Sequence, residues 1–363
     1  MVTEQAILDA LRVVKDPAGQ TDIVSQGLVK DLHIHNSEVT FTLALTTQPP
    51  ATKASLHSMA SRVVGQLPGV TRVNVKLGGG PVAARPAAPA PPAAAPHPPD
   101  MIPEVKHTIA VSSGKGGVGK STVAVNLAVA LRVGGAQVGI VDSDVYGPDV
   151  PLMLGSRGQP GMFGNKILPV EAHGLKLMSL GLLVNEREAV VWRGPMIHSF
   201  IQQMLKDVNW GALDYLVFDM PPGTGDAQLS LSQVIPLSGV VMVTTPQEVA
   251  LLDVRKAIAM FQKLNVPILG IVENMSYFVA PDTGKRYSIF GEGGGQRLAG
   301  EYSVPLLAQV PLDPSTRQAG DEGTPITLRV PDSPQARTFR DLAVAVQRRL
   351  DEMTTQRPLP KIG

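Results

Sequence analysis

"VSSGKGGVGKSTVAVNLA", residues 111–128, is the stretch on which the fold turns. Gly114, Gly119, Lys120 and Ser121 satisfy the spacing G-x-x-x-x-G-K-[ST], in which a lysine reaches the β- and γ-phosphates of a nucleotide. The run "HTIAVSS" (107–113) reads as a strand entering the loop, and "STVAVNLAVALRVG" (121–134) as a helix leaving it. That order turns the positive end of the helix, and the backbone N–H groups of a loop rich in Gly114, Gly116, Gly117 and Gly119, toward an anion. Ser121 then offers its hydroxyl to Mg²⁺. Lys115 is surplus to the motif: it begins a loop that already has a phosphate lysine.

Outward from the loop, short apolar runs recur: "QVGIVDSD" (137–144), "DYLVFDMPP" (214–222), "GVVMVTTP" (239–246), "ILGIVENM" (268–275) and "PLLAQVP" (305–311). Helical stretches such as "ALLDVRKAIAMFQKL" (250–264) lie between some of them. Near-continuous Val/Ile/Leu strands alternating with helices predict an α/β fold, a mainly parallel sheet covered by helices on both faces. Such sheets bind ligands beyond the carboxyl ends of their strands. Asp142 and Asp144 close one run there, and Asp219 closes another, as a metal-supporting acid does. Gly223 and Gly225 free the segment after Asp219 to move. Strand-end aspartates also cap helices, and Asp149 and Asp226 could do only that.

The 363-residue chain is long enough for two domains. Its sharpest change of composition is "GGGPVAARPAAPAPPAAAPHPPD", residues 78–100, too proline-rich for a helix or a central strand. It reads as an extended linker reaching about 60 Å at ~3.1 Å per residue. The expected organisation is a small α+β domain over 1–77, the linker over 78–100, a P-loop domain over 101–352 and a flexible tail over 353–363. In the first part, "EQAILDALRVVKD" (4–16) spaces Ile7, Leu8, Leu11 and Val14 as a helix does. "LVKDLHIHNSEVTFTLALT" (28–46) alternates as two strands turning at Asn36-Ser37. A helix over "ATKASLHSMASRVVGQL" (51–67) and a strand over "VTRVNVKL" (70–77) complete an αββαβ order.

A net charge of +1, from 32 basic and 31 acidic residues, gives no electrostatic reason to expect nucleic acid or an anionic membrane as partner. No apolar run approaches a transmembrane span, and the N-terminus has no signal-peptide pattern, so a cytoplasmic protein is expected. Cysteine is absent, which excludes disulfides, thiol nucleophiles and thiolate ligation of metals by this chain.

"KGGVGKST", residues 115–122, resembles the deviant Walker A loop of the MinD, ParA and nitrogenase iron-protein class. "DSDVYGPDVP" (142–151), "WRGPM" (192–196), "DMPPGTGD" (219–226), "VENMSYF" (272–278) and "FGEGGG" (290–295) narrow the resemblance to the Mrp/ApbC family of iron–sulfur cluster carrier ATPases, over about residues 105–345. "VKDPAGQTDIVSQGLVKDL" (14–32) is similar to the small iron–sulfur assembly domain fused in front of such proteins. The resemblance implies ATP and Mg²⁺ as ligands and a two-fold homodimer in which Lys115 crosses to the phosphates of the other subunit. It implies that Lys120 serves its own subunit's phosphates, that Asp144 orients the attacking water, and that Asn274 reads the adenine. Val118 and Thr122 complete the nucleotide loop. Ser121, Asp142 and Asp219 serve the Mg²⁺ site, while Gly223 and Asp226 belong to the second switch. Its expected partners are iron–sulfur assembly or recipient proteins.

The cargo site departs from the family. Its Cys-Pro-x-Cys segment falls on "VAPDTG" (279–284), with Ala280 and Thr283 in the cysteine positions, and "LTTQPPATK" (45–53) lacks the cysteine common in relatives of the small domain. Clusters are held by thiolates, occasionally by histidine, and neither alanine nor threonine substitutes. Glu273, Asp282 and the scattered histidines read as surface or capping groups. Three readings follow: an Mrp-type ATPase that carries clusters or assists their transfer, a MinD/ParA-like positioning ATPase, and a small-molecule kinase or ligase. A membrane version of the second needs an exposed amphipathic helix, for which "RTFRDLAVAVQRRLDEM" (337–353) is the candidate. Its Phe339, Leu342, Ala343, Val346 and Leu350 are expected to pack on the sheet instead.

Overall fold

The computed structural model describes residues 2–14, 21–35, 38–45, 50–70, 72–78, 101–144, 147–182 and 194–355. The chain divides into two compact units, Met1–Ala93 and Ala94–Gly363. In the first, helix α1 (Glu4–Leu11) precedes strands β1 (Val29–His35) and β2 (Glu38–Ala44), helix α2 (Pro50–Gly65) and strand β3 (Arg72–Gly78). This is the αββαβ order read from the alternating and helical spacings. Strands β1 and β2 are antiparallel, whereas β2 and β3 run parallel, because α2 carries the chain back across the sheet. Val39, Phe41 and Leu43 all point inward from β2, where Ile7, Leu11, Leu56, Ala60 and Val64 of the helices complete the core. The expected turn at Asn36-Ser37 and linker residues 79–100 lie outside the described residues. Gly78, expected to open the linker, is the last residue of β3.

The second unit opens with β4 (Val105–Ser113), α3 (Lys120–Val133), β5 (Val138–Asp142) and the single turn α4 (Val150–Met153). A hairpin of β6 (Gly161–Phe163) and β7 (Lys166–Leu168) follows, then β8 (Val170–Ala172) and β9 (Leu175–Ser179). The next elements are α5 (Gly194–Asp207), β10 (Leu213–Asp219), α6 (Asp226–Val234), β11 (Gly239–Thr244), α7 (Glu248–Lys263) and β12 (Ile268–Glu273). The last are the hairpin β13 (Phe278–Val279) and β14 (Arg286–Tyr287), α8 (Gly294–Tyr302), β15 (Leu306–Gln309), α9 (Pro314–Asp321), α10 (Ile326–Arg329) and α11 (Pro334–Thr355).

Eight strands form one sheet in the order β15-β12-β11-β4-β10-β5-β9-β8. All neighbours are parallel except β8 and β9 at one edge. Every residue of β5, β11 and β12 is buried, as expected of strands covered on both faces. On one face Ile201, Leu231, Val254, Phe261 and Leu298 come from α5, α6, α7 and α8; on the other α3 and α11 pack together. Phe339, Leu342, Ala343, Val346 and Leu350 of α11 are all buried in that second layer, so its apolar side faces the protein. Helix α11 continues through Thr355, into the stretch expected to be tail, because its heptad-like apolar face extends to Leu350 and the partly buried Met353. No helix among the described residues is long and apolar enough to cross a membrane.

Strand β4 lies between β10 and β11, and the chain leaves it first toward β5 and later toward β11. Connections that diverge in this way leave a crevice at the carboxyl ends of the strands. The phosphate-loop residues, the strand-end aspartates and Asn274 all converge there.

Candidate nucleotide site

Helix α3 begins at Lys120, with Gly119 before it in the left-handed conformation (φ 79°). A β-carbon at Gly119 would lie 2.2 Å from Asn274 Nδ2, and one at Gly114 would lie 2.2 Å from the backbone carbon of Asp253 on α7. Glycine is thus favoured at both ends of the loop by close approach of Asn274, just past β12, and of the α7 backbone. Gly116 and Gly117 are exposed at its crest, Val118 is buried beneath it, and Ser121 and Thr122 form the first turn of α3. A β-carbon on Gly116 would meet Pro222 of the "DMPPGTGD" segment at 3.9 Å, so the two loops adjoin.

Lys120 folds back into the crevice, and its Nζ lies 2.5 Å from Asp219 Oδ1 and 3.3 Å from Ser121 Oγ. Asp219 is held at the end of β10 by hydrogen bonds to its carbonyl from Ser143 N (3.0 Å) and Ser143 Oγ (2.7 Å). Burial pushes the Asp219 carboxyl upward from the usual carboxylate range, and the Lys120 ammonium opposes that shift. In the parallel register Asp219 is paired directly with Asp142 of β5. Asp142 is wholly buried, and its carboxyl is pushed up to about 8, first by burial and next by repulsion from Asp219. It accepts hydrogen bonds from Ser179 Oγ (3.0 Å), Asp144 N (3.2 Å) and Val150 N (3.3 Å).

Two mutually repelling carboxyls beside a serine hydroxyl make a hard oxygen donor set, which suits Mg²⁺. Of the three residues read as the Mg²⁺ site, Asp219 is paired with Asp142 and hydrogen-bonded by Ser121. Asp144 is nearly buried one residue past Ser143 and near enough to raise Asp219 further. Asn274, expected at the adenine, is buried with its Nδ2 on the Val118 carbonyl (2.8 Å), so here it braces the loop. Lys115 is half-buried, its ammonium pairs with no described acid, and its carbonyl accepts Ser113 Oγ at 2.9 Å. Gly223 has a positive φ of 91° and Gly225 immediately precedes α6. Asp226 opens that helix; its side chain, like Trp192 and Arg193, lies outside the described residues. Asp149 stands at the N-cap of α4 but makes no side-chain capping bond.

Three side chains near the crevice have buried partners that the sequence did not indicate. Ser179, from β9, supplies the hydroxyl on Asp142. Gln228 of α6 is buried and donates from Nε2 to Ser112 Oγ on β4. Glu273, read from the sequence as a surface or capping group, is fully buried and receives the Gly295 N–H at the start of α8. A charged residue closing the otherwise apolar "ILGIVE" was the available signal for it.

Ala280 and Thr283 sit at opposite ends of the turn between β13 and β14, closed by Gly284 N on the Ala280 carbonyl (2.8 Å). Thr283 is exposed, and its N–H is taken by Asp282 Oδ1 at 2.9 Å. No group of three or more His, Cys, Asp or Glu poised for a metal ion occurs among the described residues.

Residues 104–347 match the model of the NUBPL iron-transfer P-loop NTPase family, and residues 4–76 that of an iron-sulfur cluster assembly protein family. An iron-sulfur cluster carrier protein of Synechocystis is 48% identical over 88% of this chain and 89% of its own length. The chloroplastic Fe-S cluster assembly factor HCF101 of Arabidopsis thaliana is 45% identical over 98% of this chain but 65% of its own. Among solved structures, a nucleotide-binding protein of Archaeoglobus fulgidus in complex with ADP superposes with a TM-score of 0.58 at 39% identity, covering 66% of this chain and 93% of that one. The MinD cell-division ATPase of Pyrococcus furiosus does so at 0.51 and 26%, covering 67% and 99%. With a family match over residues 104–347 and a relative 48% identical over 88% of this chain, the protein belongs to the NUBPL-type iron-transfer P-loop NTPases, the Mrp/ApbC group of iron–sulfur carrier proteins.

Proposed function

We propose that this protein binds ATP with Mg²⁺, hydrolyses it, and uses the nucleotide cycle to transfer iron–sulfur clusters to recipient proteins or to assist their transfer. The observation that carries the reading is the buried contact of Lys120 with Asp219, which joins the phosphate loop to the acid at the end of β10. In the nucleotide-bound site the Lys120 ammonium moves to the β- and γ-phosphates, and the loop N–H groups with the α3 N-terminus hold their oxygens. Ser121 with Asp219 and Asp142 would hold Mg²⁺, which supplies charge neutralisation on the phosphates. Asp144 accepts the proton of the attacking water and orients it. Lys115 acts on the site of a second copy of the chain, adding positive charge as the leaving group develops. A cytoplasmic location belongs to the same reading.

The cluster is substrate here, and the chain has no thiolate with which to hold one. The partner therefore supplies the cysteine ligands, and this protein supplies the nucleotide-dependent surface. The membrane version of the positioning alternative is disfavoured by α11, whose apolar side is spent on the core. Phosphate release from ATP, measured with Mg²⁺, with EDTA, and with Lys120→Ala, tests the enzymatic half. Absence of Mg²⁺-dependent turnover in the intact chain would overturn it. Cluster transfer from a loaded donor to an apo-ferredoxin, with and without this protein and ATP, tests the other half.

A further inference from the structure

Glu273 ends β12 and Asn274 follows it, and together they grip two separate parts of the protein. Asn274 holds the phosphate loop through Val118; because the acceptor is a carbonyl, the atom facing it must be the amide nitrogen. Glu273 Oε1 accepts from Ser276 Oγ (2.6 Å) and Gln309 Nε2 (3.0 Å), and Oε2 accepts from Gly295 N (2.5 Å). All three partners are uncharged, so a fully buried carboxyl is held by hydrogen bonds alone.

Ser276 and Gly295 are the two feet of one excursion of the chain, which contains β13, β14, Ala280 and Thr283. A single carboxyl group therefore ties both feet. The first foot is fixed further by Ser276 N on the Val310 carbonyl (3.0 Å) and Leu312 N on the Tyr277 carbonyl (2.7 Å). The second has no slack: a β-carbon on Gly295 would lie 2.8 Å from Glu273 Cβ, and one on Gly294 2.4 Å from the Pro246 carbonyl oxygen. Arg286 stacks on Tyr277 at 3.8 Å and ties the far strand of the hairpin back to the first foot.

We infer that Glu273 is a positioning residue that couples occupancy of the phosphate loop to the conformation of residues 276–295. The inference rests on the nucleotide-binding reading above. Phosphate oxygens drawn into the loop act on the Val118–Gly119 peptide, against which Asn274 is already packed without a gap. A shift of Asn274 displaces the adjoining Glu273, and with it both feet, because packed interiors move between discrete arrangements rather than deform. The hairpin surface that carries the positions matched to the family's cysteines then presents itself differently in each nucleotide state.

Because the chain has no cysteine, Thr283→Cys creates its sole thiol, and a nitroxide attached there reports on the hairpin. Spectra are compared without nucleotide, with Mg·ADP and with a Mg-bound non-hydrolysable ATP analogue, with Glu273 intact and with Glu273→Gln. Calorimetry measures nucleotide affinity of both proteins. Glutamine keeps the size of the side chain but replaces one acceptor oxygen with a donor, so the three N–H and O–H donors cannot all be met. Nucleotide is expected to change the spectrum when Glu273 is intact, and Glu273→Gln is expected to reduce that change at least about fivefold while Kd stays within about twofold.

If the change is equal in both proteins, or absent in the first although calorimetry shows binding, the coupling is overturned. Weakening of Kd in step with the signal would also overturn it, since Glu273 would then merely support the loop. Should neither protein bind nucleotide, the nucleotide-binding reading falls and the coupling falls with it. Ser276→Ala, which removes one donor and leaves the carboxyl in place, repeats the test if Glu273→Gln does not fold; an undiminished spectral change there counts against the inference.

Discussion

Lys120 Nζ and Asp219 Oδ1 are 2.5 Å apart, with side chains 6% and 1% exposed, although 99 residues separate them in the chain. Neither charge is compensated in any other way as directly, so each depends on the other. Breaking a buried pair by removing one partner costs about 3–5 kcal/mol, whereas replacing both with apolar groups costs far less. Lys120→Ala should therefore lose nucleotide binding and also show a clearly lowered Tm. The double variant Lys120→Met/Asp219→Leu should recover most of the Tm and none of the binding. Equal Tm losses in the single and double variants would show that the pair is not coupled.

Asp142 gives the stability a definite pH dependence. Its folded-state carboxyl titrates at about 8, far above the ordinary value of 3.8. A raised folded pKa means that the native state binds the proton more tightly than the unfolded chain. The contribution to stability is thus complete below the unfolded pKa and is lost progressively as pH rises toward 8. Asp142→Asn should remove this loss, so its Tm relative to the parent should improve between pH 6 and pH 9 without nucleotide. A difference that does not vary with pH would argue that Asp142 titrates normally.

Asp144→Asn should retain ATP but slow hydrolysis by about 10²–10⁴, the usual worth of a positioned general base. Lys115→Ala should likewise bind nucleotide and hydrolyse it poorly. Mixing the two variants is the sharper measurement. In a mixed dimer one site has its own Asp144 and receives an intact Lys115 from the other subunit, so turnover should return toward half that of a parent dimer. Heterodimers that form yet remain inactive would place Lys115 on its own subunit's site.

The purified chain should be colourless after anaerobic treatment with iron and sulfide, because it offers no thiolate. A stoichiometric cluster, detected by visible absorbance and iron analysis, would contradict this. Ala280→Cys/Thr283→Cys places thiols at the two ends of an exposed turn and should create iron-dependent absorbance in the same assay.

The phosphate loop, the α/β class and the buried strands were legible because each depends on local spacing or composition. Gly119 precedes a helix and tolerates a positive φ wherever the chain goes, and "GVVMVT" is too apolar to be anything but a covered strand. The apolar side of α11 was readable for the same reason, since helical period alone aligns Phe339, Leu342, Val346 and Leu350.

What lay beyond the sequence are relationships set by strand order. Asp219 meets Asp142 and Val111 only because β10 inserts between β5 and β4, which precede it in the chain. Ser179 reaches Asp142 because β9 adds next to β5, and no spacing within "LKLMS" announces that. Glu273 looks like an ordinary strand-end acid until α8 and β15 close over it with Gly295 and Gln309. Local pattern determined which segments are strand, loop and helix, since those states are chosen by neighbours a few residues away. Which side chains share a buried hydrogen bond was decided by the packing of the sheet, because that cost and gain exist only where distant segments exclude water together.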